Sequence, residues 1–438
     1  MTSASPRGEP GRRIPPVRIL LPLVIGVLVV LAFNPLTFEA WWLRYPDVPR
    51  HWALQVVGWD LAILAVAIVL AFVASRAGRR RKTAETRRYV AACVVMLFVG
   101  ILMAALVLEG YFRITGARNA FSPSLRRELS WRTRHAGTTG SPRPEASYAF
   151  SPTLGWALRP NVRTDRVTSN SQGVRGSREY AAEPGPGIRR VLCVGDSFTF
   201  GAGLLDEQTM PARLEVALNG DGTARWEVLN FGVEGYGTDQ QWLYFADRGL
   251  RYKPDVVVLG FFDMNLERNV MSFRDYAKPY FTLVDGRLVL HNVPVPSPPE
   301  VLARKPELPR SRLASLASTL AQDFRQSMSV GDLAHTHAGA VTLAIVEAMR
   351  EAVVGHGARF VLMTIPRPIT RLGSDTERML AAWAARTGTP FLNLRAAYLQ
   401  LPEAERARLY IIHWTPYGAD VTARLLADEL RRVAPITK

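Results

Sequence analysis

The sequence predicts an α/β domain, a parallel sheet with helices on both faces, preceded by three membrane-spanning helices. Three observations lead there. Apolar strand patterns alternate with helical ones along the second half of the chain. One of those strands ends abruptly in Gly195-Asp196-Ser197. Three long apolar stretches occupy the first quarter, where basic residues also concentrate.

The apolar stretches run from about Ile19 to Phe33, Ala53 to Ala74 and Tyr89 to Leu108. The second and third are long enough to cross a bilayer as helices, and the first becomes so if Pro35 to Phe38 contribute. No clear small-x-small cleavage site follows the first stretch, and two further spans come after it. An uncleaved helix is therefore expected rather than a signal peptide. Arg7, Arg12, Arg13 and Arg18 precede the first stretch, and seven Lys and Arg between Arg76 and Arg88 fill the link between the second and third. The link between the first and second carries only Arg44 and Arg50, beside Trp41, Trp42, Tyr45 and Trp52. The positive-inside rule makes residues 1–18 a basic cytoplasmic tail and 19–110 three helices crossing the cytoplasmic (inner) membrane. Everything after Gly110 is then periplasmic or extracellular.

The net charge is +16 over 438 residues, yet the residues before Arg143 hold 19 Lys and Arg against 7 Asp and Glu. Most of the excess thus belongs to membrane topology. With no zinc-finger spacing and no basic-aromatic ladder, nucleic acid is not an expected partner. Asp60 and Glu109 lie near span ends, where snorkelling or local pairing is the simple reading and a partner site the sharper one. The two cysteines, Cys93 and Cys193, fall in a span and in a strand, which argues against a disulfide.

Residues 111–185 read as a stalk and an extended lead-in. To about Ser147 the stretch is rich in Arg, Ser, Thr and Gly, with room for one short helix. Leu154–Asn161 and Val167–Gly176 are turn-rich and extended, with Asn170 and Gly173 at turn positions. Packing against the main domain is their simple role; lining a substrate cleft is the sharper one. Residues 186–438 form the main domain, with strands near Arg190–Val194, Trp226–Asn230, Val256–Gly260, Phe360–Thr364 and Phe391–Leu394. Helical patterns fall at Met210–Asn219, Thr238–Leu250, Val341–Val354, Asp375–Arg386 and about Gly418–Arg432. An insertion at about 273–330 opens with a hairpin signal around Asp285-Gly286 and continues into the proline-rich run Val293–Pro299. Its length suits a lid, a specificity element or a partner surface.

The chemistry centres on Val191-Leu192-Cys193-Val194-Gly195-Asp196-Ser197-Phe198-Thr199-Phe200-Gly201. A buried strand, a glycine turn and a following helix leave Ser197 at the edge where open α/β sheets bind ligands and where helix N–H groups face an anion. A serine held there can act as a nucleophile whose own N–H helps to bind an oxyanion, which points to acyl-ester chemistry. The string Gly-Asp-Ser-Phe-Thr-Phe-Gly-x-Gly resembles the first motif of the SGNH (GDSL-type) hydrolase superfamily, and the chain looks like a membrane-anchored bacterial member.

That resemblance implies a flavodoxin-like three-layer sheet, no cofactor, and further motifs in order. A glycine N–H after the second strand corresponds to Gly235 in Asn230–Thr238, with Gly232 the near alternative. An asparagine after the third strand corresponds to Asn265 in Gly260–Asn269, where the family's usual Asn-Asp order is altered and Asp263 stands nearby. Asp196 is a supporting neighbour of Ser197. The base corresponds to His413 in His413-Trp414-Thr415-Pro416-Tyr417-Gly418. The family's aspartate two or three residues before that histidine is missing, since Ile411 and Tyr410 occupy those places. Either His413 works in a dyad, oriented by a backbone carbonyl or a remote carboxylate, or catalysis has been lost. His335 and His337 have no evident third ligand, so no metal site is expected.

The resemblance implies a serine acyl-ester hydrolase outside the cytoplasm, acting on O-acyl groups of envelope or exported polysaccharide or on a small ester. The alternatives are an O-acyltransferase working with a membrane partner on the same glycans, and an inactive glycan-binding scaffold.

Overall fold

The computed structural model describes residues 102–103, 105–115, 121–137, 147–220, 222, 225–319, 337–366, 369 and 373–434. The stretches Ile19–Phe33 and Ala53–Ala74, and all but the last residues of Tyr89–Leu108, lie outside them, as do Asp60, Cys93 and His335. Among the described residues no helix is long and apolar enough to cross a membrane. The chain divides into two compact units. In the smaller, Glu109 pairs with Arg113 at 2.7 Å and accepts hydrogen bonds from the N–H groups of Arg312 and Leu313. Its carboxylate is thus paired locally, against the start of the helix at 312–319.

The larger unit holds the α/β domain. It begins with helix α1 (Pro123–His135), capped by Ser122 and anchored by the buried Trp131 against the rings of Phe273 and Tyr276. The stretch read as a stalk therefore contributes a helix that packs into this unit. A two-stranded antiparallel hairpin follows, β1 (Tyr148–Ser151) and β2 (Gly155–Leu158).

The central sheet contains β3 (Ile188–Gly195), β4 (Arg225–Gly232), β5 (Val256–Phe262), β8 (Arg359–Ile365) and β9 (Phe391–Asn393), in the order β4-β3-β5-β8-β9. Every pairing is parallel. Numbered within the sheet this is 2-1-3-4-5, the flavodoxin-like order, which reverses direction between β3 and β5. Side chains alternate across the strands: Leu192, Val194, Val257 and Leu259 join one buried apolar cluster, and Val191, Cys193, Val256 and Val258 join the other. Two buried faces explain the near-continuous apolar runs of these strands.

Six helices matter for the site and its support. They are α2 (Ser197–Phe200), α3 (Met210–Asn219), α4 (Thr238–Arg248), α5 (Asn265–Arg268), α6 (His337–Gly355) and α7 (Asp375–Thr387). The closing helix α8 (Pro416–Val433) buries Leu426, Leu430 and Val433 beneath the sheet, each large apolar side chain contributing roughly 1.5–3 kcal/mol. It starts at Pro416 because Thr415 caps it and proline suits the first helical turn. The insertion carries the hairpin β6 (Tyr280–Val284) and β7 (Arg287–His291), joined by Asp285 and Gly286 at φ of 50° and 74°. Two successive positive φ values make the turn that the Asp-Gly pair predicts.

Candidate active site

Gly195, Gly232 and Gly260 lie side by side in register at the C-terminal edge of β3, β4 and β5. A Cβ on Gly195 would meet Thr199 Oγ1 at 2.1 Å, and one on Gly232 would meet the Phe200 nitrogen at 2.2 Å. This bare row lets α2 lie directly across the strand ends. Ser197 is its first residue, at the switch point between β3 and β5. Asp196 caps the helix, its Oδ1 accepting from the Phe198 N–H at 3.0 Å.

His413 reaches the same point from the loop before α8. Its Nε2 is 2.8 Å from Ser197 Oγ, and its ring packs on Phe198 with centroids 5.0 Å apart. The loop is held at both ends. Thr415 N–H donates to the Leu409 carbonyl at 3.0 Å, and Ile411 N–H donates to the His413 carbonyl at 3.1 Å. Gly418 permits the fold-back, since a Cβ there would lie 2.1 Å from the Leu409 oxygen. At the two places where the resemblance would put an acid, Ile411 is 82% exposed and the Tyr410 ring lies against those of Phe198 and Tyr398. Neither supplies a carboxylate.

The oxyanion candidates separate cleanly. Gly232 N–H is occupied by the Asn230 side chain at 3.0 Å. Gly235 sits in the loop after β4 with φ of 83°, and among the described residues no acceptor engages its N–H. Asn265 is fully buried at the start of α5, its Oδ1 accepts from Arg268, and its Nδ2 has no hydrogen-bond partner among the described residues. A buried donor without an acceptor is costly unless a ligand supplies one. Asp263 stands just past β5 beside Ser374; burial pushes its carboxyl up to about 6, the Ser374 hydroxyl opposes the shift and Glu377 adds to it. His337 opens α6.

Residues outside the motifs hold this arrangement. Arg175, in the lead-in, donates to the carbonyls of Phe200, Gly201 and Leu204 and pairs with Asp206, closing the C-terminal end of α2. From the β1–β2 hairpin region, Tyr148 donates to the Glu234 carboxylate at 2.9 Å and Trp156 Nε1 to the Glu234 carbonyl at 3.0 Å. The Tyr236 hydroxyl in turn bonds the Trp156 carbonyl. The lead-in thus packs on the domain and supports both Ser197 and Gly235. Within it, Asn170 accepts from the N–H groups of Gln172 and Val174, the turn its sequence context predicts. Arg268 pairs with Asp196 at 2.8 Å, and Lys278 with Asp239, all four side chains almost wholly buried. The sequence signals neither pair; the one local mark is that Arg268 stands three residues after Asn265, the spacing at which helical side chains meet.

The profile of the GDSL-like lipase/acylhydrolase family matches residues 193–421, a stretch that contains Ser197, Gly235, Asn265 and His413. The chain belongs to this family. Solved structures of family members are similar to it. A lipase/acylhydrolase from Enterococcus faecalis is 16% identical, covering 57% of this chain and 100% of that one, with a TM-score of 0.33. A GDSL-like lipase from Bacteroides thetaiotaomicron is 14% identical over 56% and 88%, with a TM-score of 0.29. A two-domain esterase active on acetylated mannans is 12% identical over 59% and 54%, with a TM-score of 0.32. No curated protein matches the sequence. Membership in the GDSL family fits ester hydrolysis as the class of reaction.

Proposed function

We propose that this GDSL family member is a serine acyl-ester hydrolase held at the cytoplasmic membrane by residues 19–110, with its α/β domain outside the cytoplasm. The observation that carries the chemistry is the 2.8 Å contact between His413 Nε2 and Ser197 Oγ. In this reading His413 takes the Ser197 proton as Oγ attacks the ester carbonyl, and later returns it to the leaving alkoxide. The oxyanion is bound by the N–H groups of Ser197 and Gly235 and by Asn265 Nδ2. Water, activated by His413, then releases the acid. The substrates proposed are O-acyl groups on envelope or exported polysaccharide, in line with the extracytoplasmic placement that the basic residues favour. A sugar hydroxyl in place of water would make the same steps a transfer.

A second reading rests on Ile411 and Tyr410 at the acid's usual places: a glycan-binding scaffold that keeps the fold without turnover. Fluorophosphonate labelling of the full-length chain, with Ser197→Ala and His413→Ala beside it, decides between them. Labelling that requires both residues supports the enzyme. A folded wild-type chain that takes no label overturns it in favour of the scaffold.

A further inference from the structure

We propose that Arg268 is a positioning residue of the oxyanion site, its guanidinium Nη1 aligning all three donors at once. This rests on the reading of Ser197 as the nucleophile. The donors come from separate segments: Ser197 N–H from α2, Gly235 N–H from the loop after β4, and Asn265 Nδ2 from α5. Nη1 of Arg268 reaches each segment, at 2.8 Å from Asp196 Oδ2, 3.0 Å from the Tyr236 carbonyl and 3.0 Å from Asn265 Oδ1. Asp196 directly precedes one donor, Tyr236 directly follows another, and Asn265 is the third.

The effect on Asn265 is the most specific. A guanidinium offers donors only, so the amide must turn its oxygen toward Arg268 and its nitrogen away. That leaves Nδ2 buried and without a described acceptor, aimed as a donor awaiting negative charge. The cluster has almost no contact with solvent: Asp196 and Asn265 are fully buried and Arg268 is 5% exposed. A buried ion pair seldom adds net stability, because desolvation offsets the attraction. What it does supply here is fixed geometry among three loops.

A second pair holds the first. The Arg268 carbonyl accepts from Lys278 Nζ at 3.0 Å, and Lys278 pairs with Asp239 in the first turn of α4, the helix that follows the Gly235 loop. Lysine at position 268 would end one bond short of the place that Nη1 occupies, so its ammonium would not sit among all three acceptors.

The test is a double-mutant cycle on the full-length chain, reading kcat and KM for p-nitrophenyl acetate. Arg268→Lys is expected to lower kcat by about 10–100-fold with KM changed by less than about threefold, a fraction of the loss seen when an oxyanion donor is removed outright. In an Asn265→Ala background the same change is expected to cost clearly less than its full factor, since part of its effect runs through Asn265. A role confined to packing predicts multiplicative losses, and those, or a wild-type kcat for Arg268→Lys, overturn the proposal. Should Arg268→Lys fail to fold by circular dichroism, the pair Asp196→Asn/Arg268→Met removes both buried charges together and takes its place in the cycle. A wild-type chain that neither turns over ester nor labels at Ser197 defeats the hydrolase reading and this proposal with it. An active wild type with multiplicative losses defeats the role of Arg268 alone.

Discussion

Arg175 donates to the Phe200 carbonyl at 2.7 Å, and Phe200 ends the one-turn helix that Ser197 begins. So short a helix has no internal cooperativity to keep it formed. Its ends must be satisfied from outside, by Asp196 at the front and by Arg175 at the back. Replacing Arg175 with Met leaves four carbonyls, those of Arg166, Phe200, Gly201 and Leu204, and the Asp206 carboxylate short of a partner. The expected loss of stability is about 3–5 kcal/mol, the range for breaking a buried pair from one side. Urea denaturation of the variant beside the wild type measures it.

Ser197→Ala should leave the fold intact and lower kcat toward p-nitrophenyl acetate by at least about 10⁴-fold. His413→Ala should lose a comparable factor, and the double variant little more, because nucleophile and base act as one unit. Equal kcat for Ser197→Ala and the wild type would remove the serine from the mechanism.

Gly418→Ala tests how closely the base is held. The added methyl would sit 2.1 Å from the Leu409 oxygen, so the loop from Leu409 to Thr415 must shift to admit it. A displacement of about 1 Å at the base is expected to cost on the order of 10²-fold in kcat. The fold loses only about 1–3 kcal/mol, as in other overpacked sites. Comparing kcat with the melting temperature separates the two effects.

Asp263 gives the fold a pH signature. Its carboxyl is raised from 3.8 to about 6, first by burial, so the folded state binds this proton more tightly than the unfolded chain does. Its contribution is therefore fully present below pH 3.8 and lost as pH rises through 6. Asp263→Asn, which cannot ionise, should stabilise the protein at pH 8 by roughly 2–3 kcal/mol relative to wild type and by nothing at pH 3.5. Denaturation at the two pH values measures the difference.

How much of this was legible in the sequence depends on the range of the interaction. The five sheet strands are apolar runs bounded by turns, and the structure moves each of their ends by no more than two residues, lengthening Arg190–Val194 to Ile188–Gly195 and shortening Phe391–Leu394 to Phe391–Asn393. Ser197 and His413 stand beside local marks, a glycine turn in one case and a capping Thr-Pro in the other. Helix α1 was less plain, since Trp131 and His135 are its only buried residues and most of the others are polar. Arg268 was hidden for another reason. Two of its acceptors lie 72 and 32 positions away, and nothing in the residues around it announces them. The choice between Gly232 and Gly235 likewise turned on one hydrogen bond from the first of them.

The hairpin of Tyr148 and Trp156, together with Arg175, lies ahead of residue 193, where the family profile begins to match. The stretch matched by the family and the stretch that braces this site therefore have different borders. A cassette cut at that border would carry serine, histidine and asparagine in place, yet arrive without the braces for its serine turn and its glycine loop.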